Sequence, residues 1–144
     1  MLQYKSAKIL LVDDNPANLK LLATMLGDSG YSVRAAIDGE TALISVKESP
    51  PDLILLDINM PVMNGYEVAA RLKNDSDTNT IPIIFVSALD DTNSIITAFE
   101  HGGVDYISKP FQFAEVDARV QTHLTISLQQ KLLMEFHERD QRRL

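Results

Sequence analysis

The chain is organised around one stretch, Leu53-Ile54-Leu55-Leu56-Asp57-Ile58-Asn59-Met60-Pro61. Four consecutive large aliphatic residues precede a single carboxylate, Asp57. An unbroken apolar run is typical of a parallel strand that helices cover on both faces. Asp57 would then lie at the carboxyl end of that strand, where open α/β sheets bind their ligands. From this stretch alone, the alternative is that Asp57 only marks the strand exit, because aspartate is common in turns.

The composition indicates one acidic globular domain. The 144 residues fit a single domain of about 100–150 residues, and a hydrophobic fraction of 45% is enough for a sizeable core. The net charge of −7 disfavours direct contact with nucleic acid, because such surfaces are normally basic. It equally disfavours binding to an anionic membrane surface.

The sequence also bears on the cellular compartment. There is no cysteine, which excludes disulfides and thiolate metal sites and suits a reducing environment. The first six residues lack the apolar core of a signal peptide. No apolar run approaches the ~20 residues that a membrane span needs. We therefore predict a soluble, cytoplasmic domain without membrane contact.

Five short apolar segments alternate with helical patterns along the chain. The predicted strands cover residues 8–12, 31–36, 53–57, 82–87 and 104–108. Val33 is predicted to be the clearest inward residue of the second strand, and the third helix is predicted over 66–73. Alternating strands and helices imply βαβ units, a parallel sheet and right-handed crossovers.

Local signals mark the ends of the helices. Asn15-Pro16 suits a cap followed by the first turn of the first helix, and Gly27 or Gly30 would end that helix. Asp38-Gly39-Glu40 opens the second helix. Asp90-Asp91-Thr92 is expected to cap the fourth.

The C-terminal part predicts an unusually long helix. From residue 114 to residue 144 there is no glycine or proline, so one helix could run almost to the last residue and project well past the domain. Apolar residues form a stripe along this predicted helix at Leu124, Leu128, Leu132, Leu133 and Phe136. Their spacing is not a clean a/d heptad. Either the chain is a fragment of a longer protein, or this extension pairs with another chain.

The carboxyl ends of the predicted strands carry the chemistry. The first strand ends at Asp13-Asp14, the third at Asp57, the fourth at Ser87 and the fifth at Lys109. Crowded carboxylates raise each other's pKa values unless a cation lies among them, and Mg²⁺ is the hard cation that such oxygen donors suit. Ser87 and Lys109 add donors for the anionic oxygens of a phosphoryl group. The combination indicates phosphoryl transfer onto a carboxylate.

These residues stand in motifs that resemble the receiver domain of two-component response regulators. The matching pieces, in order, are Val12-Asp13-Asp14-Asn15, Asp57-Ile58-Asn59-Met60-Pro61 with Gly65, Val86-Ser87-Ala88 and Tyr106-Ile107-Ser108-Lys109-Pro110. The resemblance covers about Lys8 to about Thr122. It implies a flavodoxin-like (βα)5 doubly wound α/β fold with strand order 2-1-3-4-5.

We divide the chain accordingly into three parts. Residues 1–7 form an N-terminal lead, and residues 8–122 form the receiver domain. Residues 123–144 form a C-terminal helical extension that serves as a linker or a dimerisation helix. The resemblance also implies a cis Lys109–Pro110 bond.

The resemblance implies a metal-dependent phosphoacceptor. Asp57 would attack a phosphohistidine on a sensor histidine kinase or a histidine phosphotransfer protein. Asp13 and Asp14 would hold Mg²⁺, directly or through water. Asp57 and the backbone carbonyl of Asn59 would complete the metal site.

The resemblance also implies a switch. Ser87 and Lys109 would each bind a phosphoryl oxygen, and Tyr106 would turn inward when Ser87 is drawn to the phosphate. The change would reach the fourth helix, the fifth strand and the last helix, and through them an output domain, an effector or a second copy of the chain. Such a protein is a signalling switch and not an enzyme, beyond autocatalytic phosphoryl transfer and self-dephosphorylation.

Two other classes compete with this interpretation. A phosphatase similar to the haloacid-dehalogenase family needs a second aspartate two places after the nucleophile, where this chain has Asn59. A flavodoxin-like nucleotide site needs a hydroxyl- and glycine-rich loop after the first strand, where Asp13-Asp14 would repel phosphate. The three histidines His101, His123 and His137 are predicted to be solvated helix residues.

Overall fold

The computed structural model describes residues 6–89 and 92–142. The elements in these ranges are, in chain order, β1 Lys8–Val12, α1 Pro16–Asp28, β2 Ser32–Ala36, α2 Gly39–Glu48, β3 Leu53–Asp57, α3 Gly65–Lys73, β4 Ile83–Ser87, α4 Thr92–Glu100, β5 Asp105–Ser108 and α5 Phe113–Arg142. The strands form one parallel sheet in the order β2-β1-β3-β4-β5. The predicted flavodoxin-like doubly wound fold, with its 2-1-3-4-5 order, is confirmed.

The central strand β3 is buried along its whole length because helices cover both faces of the sheet. Leu53 and Leu55 pack with the apolar side chains of α1 and α5. Ile54 and Leu56 point to the other face and pack with α2, α3 and α4. Each of these side chains contributes roughly 1.5–3 kcal/mol through its burial. This two-sided burial explains the unbroken apolar run and holds Asp57 at the end of a rigid strand.

Side-chain caps begin three of the helices. Asn15, Asp38 and Asn64 each accept a hydrogen bond from a backbone N–H in the first turn of the following helix, at 2.9, 2.7 and 3.0 Å. Such caps satisfy donors that a helix start leaves without an intrahelical partner. The predicted starts of α1 and α2 are confirmed. The predicted caps of α4, Asp90 and Asp91, lie outside the described residues.

Of the two glycines predicted to end α1, Gly30 does so, because it follows the helix cap Ser29 with φ of +101°, a left-handed conformation that suits glycine. Gly27 lies inside the helix. The details of β2 differ from the prediction. Strand β2 begins at Ser32, one residue later than predicted. Val33 is only half-buried, and Ala36 is the buried residue of this edge strand.

Helix α4 presents apolar side chains to solvent as well as to the core. Ala98 is buried and Ile95 packs against the core from a half-buried position. Ile96 and Phe99 remain 49% and 48% exposed. Apolar spacing predicted the helix correctly, but it did not separate its inner face from its outer face.

The long C-terminal helix is confirmed, because α5 runs for 30 residues. The apolar stripe predicted along it is not one continuous face. Leu124 is buried in the core and Leu128 is half-buried, whereas Leu132, Leu133 and Phe136 are 46%, 69% and 70% exposed. Within residues 6–89 and 92–142, no helix is both long and apolar enough to cross a membrane.

Candidate functional site

Most of the predicted site residues come together at one edge of the sheet, whereas Tyr106 lies inside β5, opposite Phe85 of β4. The strands are parallel, so their carboxyl ends lie side by side. Asp57 at the end of β3 pairs with Val86 of β4, and Ser87 at the end of β4 pairs with Ser108 of β5. Residues that are far apart in the sequence therefore share one small region.

Three carboxylates form the centre of this region. One carboxylate oxygen from each of Asp13, Asp14 and Asp57 lies within 4.8 Å of the others. Asp13 and Asp57 are buried, and Asp14 is exposed. Mg²⁺ prefers oxygen donors and keeps several of its waters. Two buried carboxylates and one open to solvent fit such an ion.

Lys109 brings a positive charge into the same cluster. Its Nζ lies 3.1 Å from Asp13 Oδ2 and 3.4 Å from Asp57 Oδ1. Burial by itself would lower the pKa of Lys109, but the hydrogen bond to Asp13 and the charges of both carboxylates outweigh burial and raise this pKa. The ammonium group is therefore held in its charged form beside Asp57.

The Asp57 carboxyl has a strongly perturbed pKa. Burial, followed by repulsion from Asp13, raises the pKa of Asp57 from 3.8 to about 6, although Lys109 acts in the opposite direction. One ammonium group does not balance three carboxylates, so a further cation at this place would lower the pKa of Asp57. A buried carboxylate with a near-neutral pKa inside a charged cluster is typical of a functional site.

Two asparagines from the start of α1 hold the Asp13 carboxylate. The backbone N–H of Asn15 donates to Asp13 Oδ1 at 2.9 Å, and Asn18 Nδ2 donates to Asp13 Oδ2 at 3.3 Å. A role for Asn18 was not predicted from the sequence. The available signal was its spacing, because residues three apart, such as Asn15 and Asn18, lie on the same side of a helix.

Ser87 is fully buried and takes part in a small network. Its Oγ accepts hydrogen bonds from Asn59 Nδ2 at 3.3 Å and from the backbone N–H of Leu89 at 3.2 Å. A hydroxyl that accepts two hydrogen bonds keeps its own proton for donation. The contact made by the Asn59 side chain was not predicted, since only its backbone carbonyl had been given a role.

The loop between β3 and α3 is tightly built around Asp57. A Cβ atom on Gly65 would collide with the backbone carbonyl of Asp57 and would lie 2.9 Å from Ile58 Cα. Only glycine allows α3 to start this close to the end of β3. In the same loop Val62 has φ of +69°, a conformation that is strained for a β-branched residue. The predicted cis Lys109–Pro110 bond is present.

Tyr106 is buried and lies next to a charged network on β5. Its neighbour Asp105 accepts hydrogen bonds from Arg119 Nη1 at 2.7 Å and from the backbone N–H of Tyr106 at 2.8 Å, and it lies 2.9 Å from His123 Nε2. Burial would raise the pKa of Asp105, but these contacts, led by the Arg119 hydrogen bond, lower it. The network ties the residue beside Tyr106 to α5.

The prediction for the histidines is partly wrong. His123 is largely shielded, with 14% of its side chain exposed, and it pairs with Asp105. His101 is exposed but stacks on Tyr66, with ring centroids 4.3 Å apart. His137 is exposed near the end of α5, as predicted.

Comparisons with known proteins agree on one family. The family model of the response regulator receiver domain matches residues 9–121. Response regulator PleD of Caulobacter vibrioides is 42% identical over 117 residues, which cover 81% of this chain and 26% of that protein. DNA-binding response regulator MtrA of Mycolicibacterium smegmatis is 39% identical over 117 residues, which cover 81% of this chain and 50% of that protein.

The fold comparison leads to the same family. The crystal structure of the signal receiver domain of a signal transduction histidine kinase from Syntrophus aciditrophicus is similar with a TM-score of 0.76 and 32% identity, and the match covers 83% of this chain and 90% of that one. The chain spans about a quarter to a half of the length of the curated relatives it matches. From the family match, the shared sequence and the shared fold, this chain belongs to the response regulator receiver domains of two-component signalling.

Proposed function

We propose that Asp57 accepts a phosphoryl group from a phosphohistidine on a sensor histidine kinase or a histidine phosphotransfer protein. One observation carries the proposal. Asp57 is a buried carboxylate, 3.4 Å from the Lys109 ammonium and clustered with two further carboxylates. This arrangement offers a nucleophile, a cation for the incoming phosphoryl oxygens and oxygen donors for a metal ion.

The reaction would proceed by attack of an Asp57 carboxylate oxygen on phosphorus. The new P–O bond forms as the P–N bond to the partner's imidazole breaks, and the imidazole keeps the electron pair. The Lys109 ammonium is ion-paired with Asp13 and Asp57 in this structure, and after transfer it would bind one phosphoryl oxygen. The Ser87 hydroxyl would donate its proton to another. In self-dephosphorylation, water attacks the same phosphorus and the Asp57 carboxylate leaves.

The residues that would hold Mg²⁺ are Asp13, Asp14 and Asp57, together with the backbone carbonyl of Asn59. When bound, Mg²⁺ supplies positive charge that offsets the carboxylate repulsion and the charge on the transferring phosphoryl group. The hydrogen bonds from Asn15 and Asn18 would keep Asp13 oriented toward the ion.

Phosphorylation would act by shifting a conformational equilibrium. A change from 1:99 to 99:1 requires about 5.5 kcal/mol of differential stabilisation. Two charge-assisted hydrogen bonds from Ser87 and Lys109, at about 1.5–3 kcal/mol each, together with metal contacts, are of this size. Tyr106 would respond to the movement of Ser87. Its neighbour Asp105 would pass the change to α5 through Arg119.

The output would pass through the α4-β5-α5 face and the extension formed by residues 123–144, toward an output domain or an effector. We propose no catalytic activity beyond phosphoryl transfer to Asp57 and its hydrolysis. The net charge of −7 supports a chain that contacts neither nucleic acid nor an anionic membrane directly. MtrA is named a DNA-binding regulator, but this chain spans only half of it, and we do not carry that activity over.

Intact-mass spectrometry after incubation with acetyl phosphate and Mg²⁺ tests the proposal. We expect one added phosphoryl group on the native chain, none on Asp57→Asn, and none when a chelator is present. Asp77→Asn makes the same chemical change in an exposed loop and should be labelled normally. Labelling of Asp57→Asn would contradict the proposal. Continuous turnover of phosphomonoesters would instead favour a phosphatase.

A further inference from the structure

A pocket lies between α2 and α3, away from the acidic cluster around Asp57. Its volume of about 350 Å³ is in the range of sites that bind small organic molecules. Gly65, the first residue of α3, lies against the backbone of Asp57, whereas Leu72 in the pocket wall comes seven residues later in the same helix. At about 1.5 Å per residue, the pocket is roughly 10 Å along α3 from the edge of the sheet that holds the acidic cluster.

Three aliphatic side chains form the apolar part of the pocket wall. Leu72 of α3 is buried, Leu43 of α2 is half-buried, and Ile44 is 54% exposed. An occupant with an apolar body would cover this surface and would be stabilised by its removal from water.

Two cations and one carboxylate line the same pocket. Lys47 Nζ lies 3.3 Å from Asp75 Oδ2, and Asp75 Oδ1 accepts a hydrogen bond from the backbone N–H of Asp77 at 2.9 Å. These contacts, led by the hydrogen bond from Asp77, lower the pKa of Asp75 and keep its carboxylate charged. Within the part of the chain that the structure describes, the guanidinium of Arg71 has no ion pair or hydrogen bond, and Glu67 four residues earlier is not paired with it. The residues that line the pocket therefore carry one unmatched positive charge.

Contacts within the chain hold the walls of the pocket in place. Thr78 Oγ1 donates a hydrogen bond to the backbone carbonyl of Leu72 at 2.6 Å, which fixes the loop after α3 to the end of that helix. The ion pair between Lys47 and Asp75 joins α2 to the same loop. Walls that are already fixed lose little conformational freedom when a ligand binds, so more of the contact energy remains as affinity.

We propose that this pocket binds a small monoanion with an apolar body, of the class of medium-chain carboxylates. The planar guanidinium of Arg71 would bind the carboxylate through two parallel hydrogen bonds. The aliphatic chain of the ligand would lie on Leu43, Ile44 and Leu72. A dianion such as a phosphate monoester suits the pocket less well, because Asp75 would repel its second charge. The proposal goes beyond the proposed phosphoryl transfer and does not depend on it.

An NMR titration of the full chain with octanoate provides the first test. We expect saturable shifts of the backbone amides of Leu43, Lys47 and Leu72, with a Kd of roughly 0.1–1 mM for a ligand of this size. Acetate has the same charge but no apolar body, so its Kd should be at least about tenfold higher. Octanamide has the same chain but no charge, so its Kd should be roughly fivefold higher.

Substitutions on the surface provide the second test, because they separate the charge from the apolar wall. Arg71→Gln removes the charge and should raise the Kd of octanoate roughly fivefold. Arg139→Gln removes the same charge on α5, where the side chain is 70% exposed, and should bind octanoate like the native chain. Ile44→Gln should also raise the Kd roughly fivefold, and its matched control is Leu21→Gln on α1, because Leu21 is 51% exposed. All four positions are exposed on their helices, so the variants should keep the native NMR spectrum.

Several results would overturn the proposal. One is a native chain that does not bind octanoate, and another is binding that shifts only the residues of the apolar groove on α5 at Leu132, Leu133 and Phe136. Equal affinity for acetate and octanoate would remove the apolar part of the site. Equal affinity of Arg71→Gln and Arg139→Gln for octanoate would remove the role of the Arg71 charge.

Discussion

Replacement of Asp57 by asparagine should raise the free energy of unfolding at neutral pH. The pKa of Asp57 is about 6 in the folded chain and 3.8 for an ordinary aspartate. Between these two pH values the folded state binds more protons than the unfolded chain. The stability of the native protein therefore falls as the pH rises from about 4 to about 6, and it stays lower above that range. Asparagine has the same shape and no charge, so it removes this loss.

The structure sets the size of the effect. The difference between 3.8 and about 6 corresponds to roughly 3 kcal/mol at 1.36 kcal/mol per pKa unit. Solvent screening reduces this value little, because only 4% of the Asp57 side chain is exposed. The pKa of about 6 for Asp57 already includes the attraction between its carboxylate and the Lys109 ammonium, so no separate correction for that ion pair is needed. Allowing for relaxation of the site, we expect Asp57→Asn to gain about 1–3 kcal/mol above pH 7, or roughly 3–10 °C in Tm.

Urea denaturation followed by circular dichroism measures the effect, with chelator present so that no metal ion contributes. The difference in the free energy of unfolding between Asp57→Asn and the native chain should reach its full value at pH 7.5 and fall close to zero near pH 4. Asp77→Asn, on an exposed loop, controls for the loss of one charge from the chain. Equal free energies of unfolding for the native chain and Asp57→Asn at pH 7.5, or a difference that persists unchanged near pH 4, would contradict this prediction.

Three further substitutions probe the surroundings of the site. Lys109→Met leaves the buried Asp13 and Asp57 carboxylates without their cation and should lower the free energy of unfolding by roughly 1–3 kcal/mol at pH 7.5, measured with urea; an unchanged value would contradict the pairing. Gly65→Ala pushes a Cβ against the backbone carbonyl of Asp57, so calorimetric titration should show weaker Mg²⁺ binding, and native affinity would argue against this close approach. Val62→Asn places a residue that tolerates positive φ at a strained position and should raise Tm by roughly 1–3 °C, whereas a lower Tm would show that the strain is absent.

The fold and the centre of the site could be predicted because each depends on features local to the sequence. The run from Leu53 to Leu56 has no alternation, which favours a short strand covered on both faces. Asp57 and Ser87 are the last residues of their strands, and Lys109 directly follows a strand. A parallel sheet brings such strand ends together whatever the remaining details are.

The parts that were missed depend on side-chain directions and on neighbouring elements. The contact of Asn18 with Asp13 depends on the rotation of α1 about its axis, and the contact of Asn59 with Ser87 depends on the course of a loop. Apolar spacing also cannot say which neighbour covers a helix face. Leu128 was therefore grouped with Leu133, although the structure turns the two toward different sides of α5.

We propose that Asp57 itself carries the phosphoryl group, and borohydride trapping can identify the modified residue. Borohydride reduces an aspartyl phosphate to homoserine, and peptide mass mapping then identifies the position. After incubation with acetyl phosphate and Mg²⁺, we expect homoserine at position 57, with Asp13 and Asp14 unchanged. Phosphorylated protein in which position 57 remains aspartate, or in which homoserine forms at position 13 or 14, would contradict the assignment of Asp57 as the phosphoacceptor.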